Sequence, residues 1–242
     1  MIEATQLKKS FGKVIAVKDV SLTAANGQIT GLLGENGAGK TTTIRMLSGI
    51  LSPENGHIKL DGQTLFPNSH TLRKKLGVLS DQRTLYPKLT TRENISYFAG
   101  LMGMSQKETE VSIDKLISML DLEQIIDRRT EGFSTGQKMK CALARILVYQ
   151  PTTILLDEPT AGLDVLTKRN LRNIMKRLRD DGMCLLLSTH IMEEVEWLCD
   201  QVFIMHQGKT LQSGTVDQLL SGTQTEKFED AFVQLIQQDS AL

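Results

Sequence analysis

Gly34-Glu35-Asn36-Gly37-Ala38-Gly39-Lys40-Thr41 follows a short apolar run, residues 29–33, and leads into a helix expected over about 39–49. The stretch satisfies G-x-x-x-x-G-K-[S/T] at every fixed position, in the strand–loop–helix setting that gives the pattern its meaning. Its glycines let consecutive backbone N–H groups curl around anionic oxygens. The helix N-terminus adds a partial positive charge. Lys40 suits the β- and γ-phosphates of a nucleotide, and the Thr41 hydroxyl suits Mg²⁺.

Upstream of this loop, residues 2–9, 20–24 and, beyond it, 58–60 read as strands, with Asn26-Gly27, Asn55-Gly56 and Asp61-Gly62 as turn signals. Downstream, residues 87–150 read as helical. Thr90 and Glu93 have capping-box spacing, and Ile113, Leu116, Ile117 and Leu120 form an amphipathic stripe. After Pro151 strand and helix alternate: a strand at 154–157, a helix with its stripe at Leu171, Ile174, Met175 and Leu178, a strand at 185–188 and a helix at 191–198. Strands at 201–205 and 209–213 then join at Gln207-Gly208. Such alternation predicts an α/β fold with a largely parallel sheet. The helical middle divides two sheet segments, so residues 1–222 read as one domain with an inserted helical subdomain at about 87–150, followed by a helical tail at 223–242.

Composition narrows the class further. Lys+Arg and Asp+Glu stand at 28 each, for a formal net charge of zero, which gives no whole-chain footprint for nucleic acid. No run approaches the roughly 18 apolar residues of a membrane span, and no basic, apolar leader opens the chain. A soluble cytoplasmic protein is expected, with any membrane role supplied by a partner. Cys141, Cys184 and Cys199 have no metal-site spacing and lie among apolar residues, as reduced core thiols do.

Two further segments carry chemistry. An apolar strand ends in Asp157-Glu158, where the first acid can hold Mg²⁺ and the second can orient or deprotonate an attacking water. Phe133-Ser134-Thr135-Gly136-Gln137 precedes a helix. Ser134 and Gln137 make a capping box, which explains the segment structurally, while a helix N-terminus bearing a Ser hydroxyl and a Gly also suits a γ-phosphate.

Taken in order, these segments resemble the landmarks of the ABC ATPases. Residues 133–137 are similar to the family signature LSGGQ, with Phe for Leu and Thr for the first Gly. Ala161-Gly162-Leu163-Asp164 resembles the D-loop, and Ser188-Thr189-His190 the switch-histidine motif. The resemblance implies a P-loop, RecA-like core with an N-terminal antiparallel β layer and an inserted α-helical subdomain. It implies ATP and Mg as cofactors, with Lys40, Glu158 and His190 catalytic. Phe11 would stack on adenine, and Thr42 and Asp164 would join residues 34–41 and Ser134, Thr135, Gly136 and Gln137 in binding nucleotide. Thr41 and Asp157 would hold the metal. The family's metal-sensing Gln falls at Asp81 by ungapped counting and at Gln82 one residue later, and both stay open.

Family members pair head to tail, so the resemblance also implies a second copy of the ATPase subunit and a polytopic membrane permease. The chain would sit on the cytoplasmic face of the inner or plasma membrane without entering it. The signature with Lys138-Met139-Lys140, and the tail Phe228-Glu229-Asp230-Ala231-Phe232, resemble a sodium-exporter subfamily. A soluble assembly or scaffold ATPase is the alternative.

Overall fold

A strand that is apolar along its whole length needs cover on both faces, and parallel sheets provide it. In the computed structural model, which describes residues 1–66, 69–80 and 84–240, β3 (Gln28–Gly34), β7 (Thr153–Asp157) and β8 (Cys184–Thr189) are buried almost throughout. They pair in parallel with one another and with β6 (Leu76–Leu79) and β9 (Gln201–His206), in the order β9-β3-β8-β7-β6. An antiparallel layer forms from β1 (Ile2–Phe11), β2 (Val14–Ala24), β4 (Asn55–Leu60) and β5 (Gln63–Thr64). β10 (Lys209–Gly214) is antiparallel to β9 and meets β2 through the single pair Lys209 and Asp19, which joins the two parts into one ten-stranded sheet.

Helix α1 (Lys40–Leu47) buries Ile44, Met46 and Leu47 against the β layer's Leu7 and Val17. After the short α2 (Ser69–Arg73), three helices lie between β6 and β7: α3 (Thr91–Leu101), α4 (Gln106–Leu120) and α5 (Thr135–Leu147). Each starts on a complete capping box, at Thr90/Glu93, Ser105/Glu108 and Ser134/Gln137. Each cap stabilises its helix by about 1 kcal/mol. The stripe Ile113, Leu116 and Leu120 packs into the same core as Ile154 and Leu156 of β7, so the helical insert is continuous with the sheet. α6 (Val165–Asp180) and α7 (Met192–Leu198) follow β7 and β8. α8 (Val216–Thr223) and α9 (Phe228–Ser240) close the chain, and Phe228, Ala231, Phe232 and Leu235 pack on Val202 and Ile204 of β9.

Two local expectations differ from the structure. Asn55-Gly56 is not a turn but the start of β4. Gly56, at φ +83°, passes so close to β1 that a Cβ would lie 2.3 Å from the Thr5 carbonyl, beside a shift in the β1–β4 register. β2 begins at Val14 and not near residue 20, because Val14, Ile15 and Val17 already pair with Phe11, Ser10 and Lys9 of β1, although Val14 and Ile15 are exposed. Cys141 and Cys184 are buried and Cys199 half-buried, all as free thiols. Burial pushes the Cys141 thiol up to about 11.

Candidate active site

Parallel strands open a crevice at their C-terminal ends. Here the ends of β3, β7 and β8 are in register, Leu33 beside Thr189 and Asp157 beside Ser188, so the glycine loop, Asp157-Glu158 and His190 leave the sheet together. Gly37 and Gly39 adopt φ of +86° and +99°, and a Cβ at Gly39 would lie 2.5 Å from the Ala16 carbonyl, so only glycine fits.

Lys40 donates to the carbonyls of Gly34 and Glu35 at 2.8 and 3.1 Å, and its ammonium lies 3.6 Å from Glu158 Oε1. Burial lowers the Lys40 pKa, and the Glu158 carboxylate opposes that shift. The Thr41 hydroxyl donates to Asp157 Oδ1 at 3.3 Å, and Ser188 Oγ donates to the same oxygen at 2.5 Å. Thr41 and Asp157 thus offer a hydroxyl and a carboxylate side by side, an all-oxygen donor set that fits Mg²⁺. Glu158 stands at φ +47°, a left-handed conformation that costs a non-glycine residue about 1–3 kcal/mol. Its N–H donates to both the carbonyl and the hydroxyl of Ser188, at 3.2 Å each. His190 Nδ1 lies 3.0 Å from each Glu158 carboxylate oxygen.

These groups border a cleft of about 480 Å³, lined by Val14, Ile15 and Ala16 on the β layer and by Asn36, Gly37, Gly39, Lys40, Thr41, Thr42 and Glu158 opposite. Phe11 ends β1 half exposed, next to this wall but not among its lining residues. Ser134, Thr135, Gly136 and Gln137 begin α5 and also lie outside the lining. Asp164 caps α6, accepting from the Thr167 N–H at 3.0 Å and its hydroxyl at 2.6 Å, and the hydroxyl bond lowers the Asp164 pKa. Gly162 approaches the signature, its hypothetical Cβ 4.0 Å from Thr135 Cγ2. Asp81 and Gln82 lie outside the described residues.

The sequence reading missed Val14–Ala16 as a cleft wall and Glu194 as a buried carboxylate. Glu194 accepts from the hydroxyls of Thr160 and Thr189. No sequence signal marked it, since the fold alone brings Thr160, 34 residues away, to its carboxylate.

A family model described as ABC transporter matches residues 17–161, more than half of the chain. The chain belongs to the ABC transporter family. ABC transporter ATP-binding protein NatA of Bacillus subtilis (strain 168) is 38% identical over 238 residues, 96% of this chain and 97% of that protein. Nod factor export ATP-binding protein I of Paraburkholderia xenovorans (strain LB400) is 37% identical over 220 residues, 91% of this chain and 72% of the relative. A solved dimeric ATP-binding cassette in a post-hydrolysis state, bound to ADP and Pi, superposes with a TM-score of 0.80 at 25% identity, covering 89% of this chain and 98% of that one. The expected P-loop, RecA-like fold is therefore the observed one, and the chain is an ABC ATP-binding subunit. Among its described residues no helix is long and apolar enough to cross a membrane.

Proposed function

We propose that this ABC subunit binds ATP with Mg²⁺ in the cleft between the β layer and the glycine loop, and hydrolyses it to drive a separate membrane permease. The observation that carries this reading is the convergence of Lys40, Glu158 and His190 beside the Thr41–Asp157 pair. The loop N–H groups and Lys40 bind the phosphates, and Asn36 and Thr42 border them. Bound Mg²⁺, held by Thr41 and Asp157, neutralises phosphate charge. Glu158 takes a proton from water as the water oxygen attacks the γ-phosphorus, and the bond from that phosphorus to the β–γ bridging oxygen breaks. ADP and phosphate leave. His190 holds the γ-phosphate side of the site, and Phe11 takes the adenine.

Ser134, Thr135, Gly136, Gln137 and Asp164 face no nucleotide wall in their own chain. They serve the cleft of a second copy in a head-to-tail dimer, a reading supported by the dimeric cassette described above. The permease docks where the helical insert meets the core, in the cytoplasm at the membrane face. There Tyr86 and Tyr97 are exposed and stack edge to face at 5.2 Å, beside the exposed Leu101. A groove of about 310 Å³ adjoins them, bounded by Leu85, Pro87, Thr130 and Lys138. Arg145 braces this join, donating to the Thr84 carbonyl at 2.6 Å and lying 4.1 Å over the Phe98 ring. Asp81 or Gln82 senses the metal in the same segment. Export is supported by the Nod factor relative, and sodium is the proposed cargo.

The test is recovery of the chain from native membranes, with ATP turnover assayed with and without EDTA. A polytopic partner and chelator-sensitive turnover are expected. Recovery with soluble partners only would replace transport with an assembly role. Efflux of ²²Na⁺ from vesicles holding the pair tests the ion, and ATP-driven efflux of another solute alone would remove it.

A further inference from the structure

Glu194 is a carboxylate only 1% exposed, and among the described residues no Lys, Arg or His lies within ion-pair distance of it. Burying such a group without a cation is costly, so packing alone is a poor reason for its presence. Its two oxygens divide between two loops. Oε1 accepts from the Thr160 hydroxyl, and Oε2 accepts from the Thr189 hydroxyl at 3.0 Å. Both threonines are themselves buried.

Each threonine sits beside one member of the Glu158–His190 pair. Thr160 lies two residues after Glu158, within a tight turn in which the Ala161 N–H donates to the Glu158 carbonyl and the Leu163 N–H to the Thr160 carbonyl. Thr189 immediately precedes His190, and its oxygen also accepts from the Ile191 N–H at 3.0 Å, which fixes the turn that presents the imidazole. The connections close a ring that runs from Glu158 along the chain to Thr160, across Glu194 to Thr189, along the chain to His190, and back to Glu158 through the 3.0 Å contact. The left-handed backbone of Glu158 needs such outside support, because it does not hold itself.

We propose that Glu194 is a positioning residue for hydrolysis, bracing the loop of Glu158 and the turn of His190 at one fixed separation. It touches neither nucleotide nor water. This rests on the reading of Glu158 and His190 as the hydrolytic pair. Freed from the brace, His190 would swing relative to Glu158 while the glycine loop, on a different strand, would still bind ATP. The brace therefore acts on turnover and leaves nucleotide affinity alone.

The experiment compares Glu194→Ala, Glu194→Gln and the near-isosteric Thr189→Val in the full-length chain, in three measurements. The first is kcat against KM for ATP. Glu194→Ala should lower kcat by about 10- to 100-fold with KM within about twofold, the scale of a misplaced catalytic group. Glu194→Gln, which keeps the shape and one acceptor oxygen, should recover part of the loss. The second is the imidazole ¹⁵N spectrum, in which His190 is assigned among the four histidines by its absence in His190→Gln. Thr189→Val and Glu194→Gln should move the His190 signals and leave the other three in place. The third is the melting temperature, which keeps Thr189→Val decisive where Glu194→Ala does not fold. Unmoved His190 signals together with kcat within twofold in the folded variants would overturn the brace. Glu158→Gln is run alongside. If it turns over normally, the hydrolytic pair is misassigned, and the His190 spectrum still decides the brace.

Discussion

The glycine-loop edge and the signature helix reach opposite degrees of completion within one chain. At the edge, Lys40, Asp157, Glu158 and His190 come from the ends of three parallel strands and touch one another at 3.0–3.6 Å or through shared partners. At the start of α5, Ser134 spends its contacts on its own helix, accepting from the Gln137 N–H at 3.2 Å while its own N–H donates to Gln137 Oε1 at 3.1 Å. Sheet register brings the elements of the first region together at one edge. The second presents a capped helix N-terminus outside the lining of the cleft, although such a terminus is suited to an anion. One region is a nearly finished site, and in the proposed head-to-tail dimer the other would supply the missing wall of a neighbour's.

Breaking the finished region should have the largest effect. Glu158→Gln keeps the shape of the side chain and removes the proton acceptor, so ATP binding should persist while turnover falls about 10²-fold or more. Steady-state hydrolysis and nucleotide binding on the same preparation measure the two separately, and near-normal turnover would remove Glu158 from its role. Lys40→Ala takes away the fixed positive charge that lies against Glu158, and should abolish hydrolysis and weaken ATP binding together. Unchanged affinity and rate would show that the loop binds no phosphate.

The unfinished region is tested by complementation. Gly136→Glu puts a bulky acid where even a Cβ would come within 3.1 Å of Thr167 Oγ1, a hydroxyl already committed to Asp164. Alone, this variant and Lys40→Ala should each be inactive. Mixed before dimer assembly, they form heterodimers in which one sound glycine loop faces one sound signature, and a measurable fraction of normal activity should return. No recovery in a mixture shown to exchange subunits would break the comparison, because each chain would then be using its own signature.

How far the sequence disclosed this arrangement depended on how strict each local demand is. The glycine loop was legible because positive φ, an ammonium and a hydroxyl leave few residue choices. The strand ending in Asp157-Glu158 was legible because a fully apolar run has one role in an α/β chain. Glu194 was not, because its value lies in a contact across 34 residues to Thr160 that no periodicity announces. Val14–Ala16 escaped for a related reason: a strand that forms a cleft wall is exposed and looks like a loop. Asn55-Gly56 misled because a glycine needed for close approach to β1 reads the same as one needed for a turn.

The smallest expected effect lies on the wall opposite the phosphates, where the resemblance and the cleft point to different residues. Phe11 pairs with Val14 beside the turn of the β1–β2 hairpin, half exposed, with the Lys9 ammonium 6.0 Å from its ring centre. Stacking of a base on an aromatic ring is worth about 1–3 kcal/mol, and 1.4 kcal/mol is a factor of ten in affinity. Phe11→Ala should therefore raise the Kd for ATP about tenfold. Ile15→Ala, which trims a residue that lines the cleft without offering a ring, should raise it less. Inorganic triphosphate separates the causes, since it has phosphates and no base. Its affinity should be the same in the wild type and both variants. A larger loss from Ile15→Ala than from Phe11→Ala would move the adenine off the ring and onto the aliphatic strand face. An equal loss for ATP and triphosphate in Phe11→Ala would mean that the hairpin had shifted the glycine loop through Ala16, whose carbonyl lies against Gly39, and that no base had been stacked there.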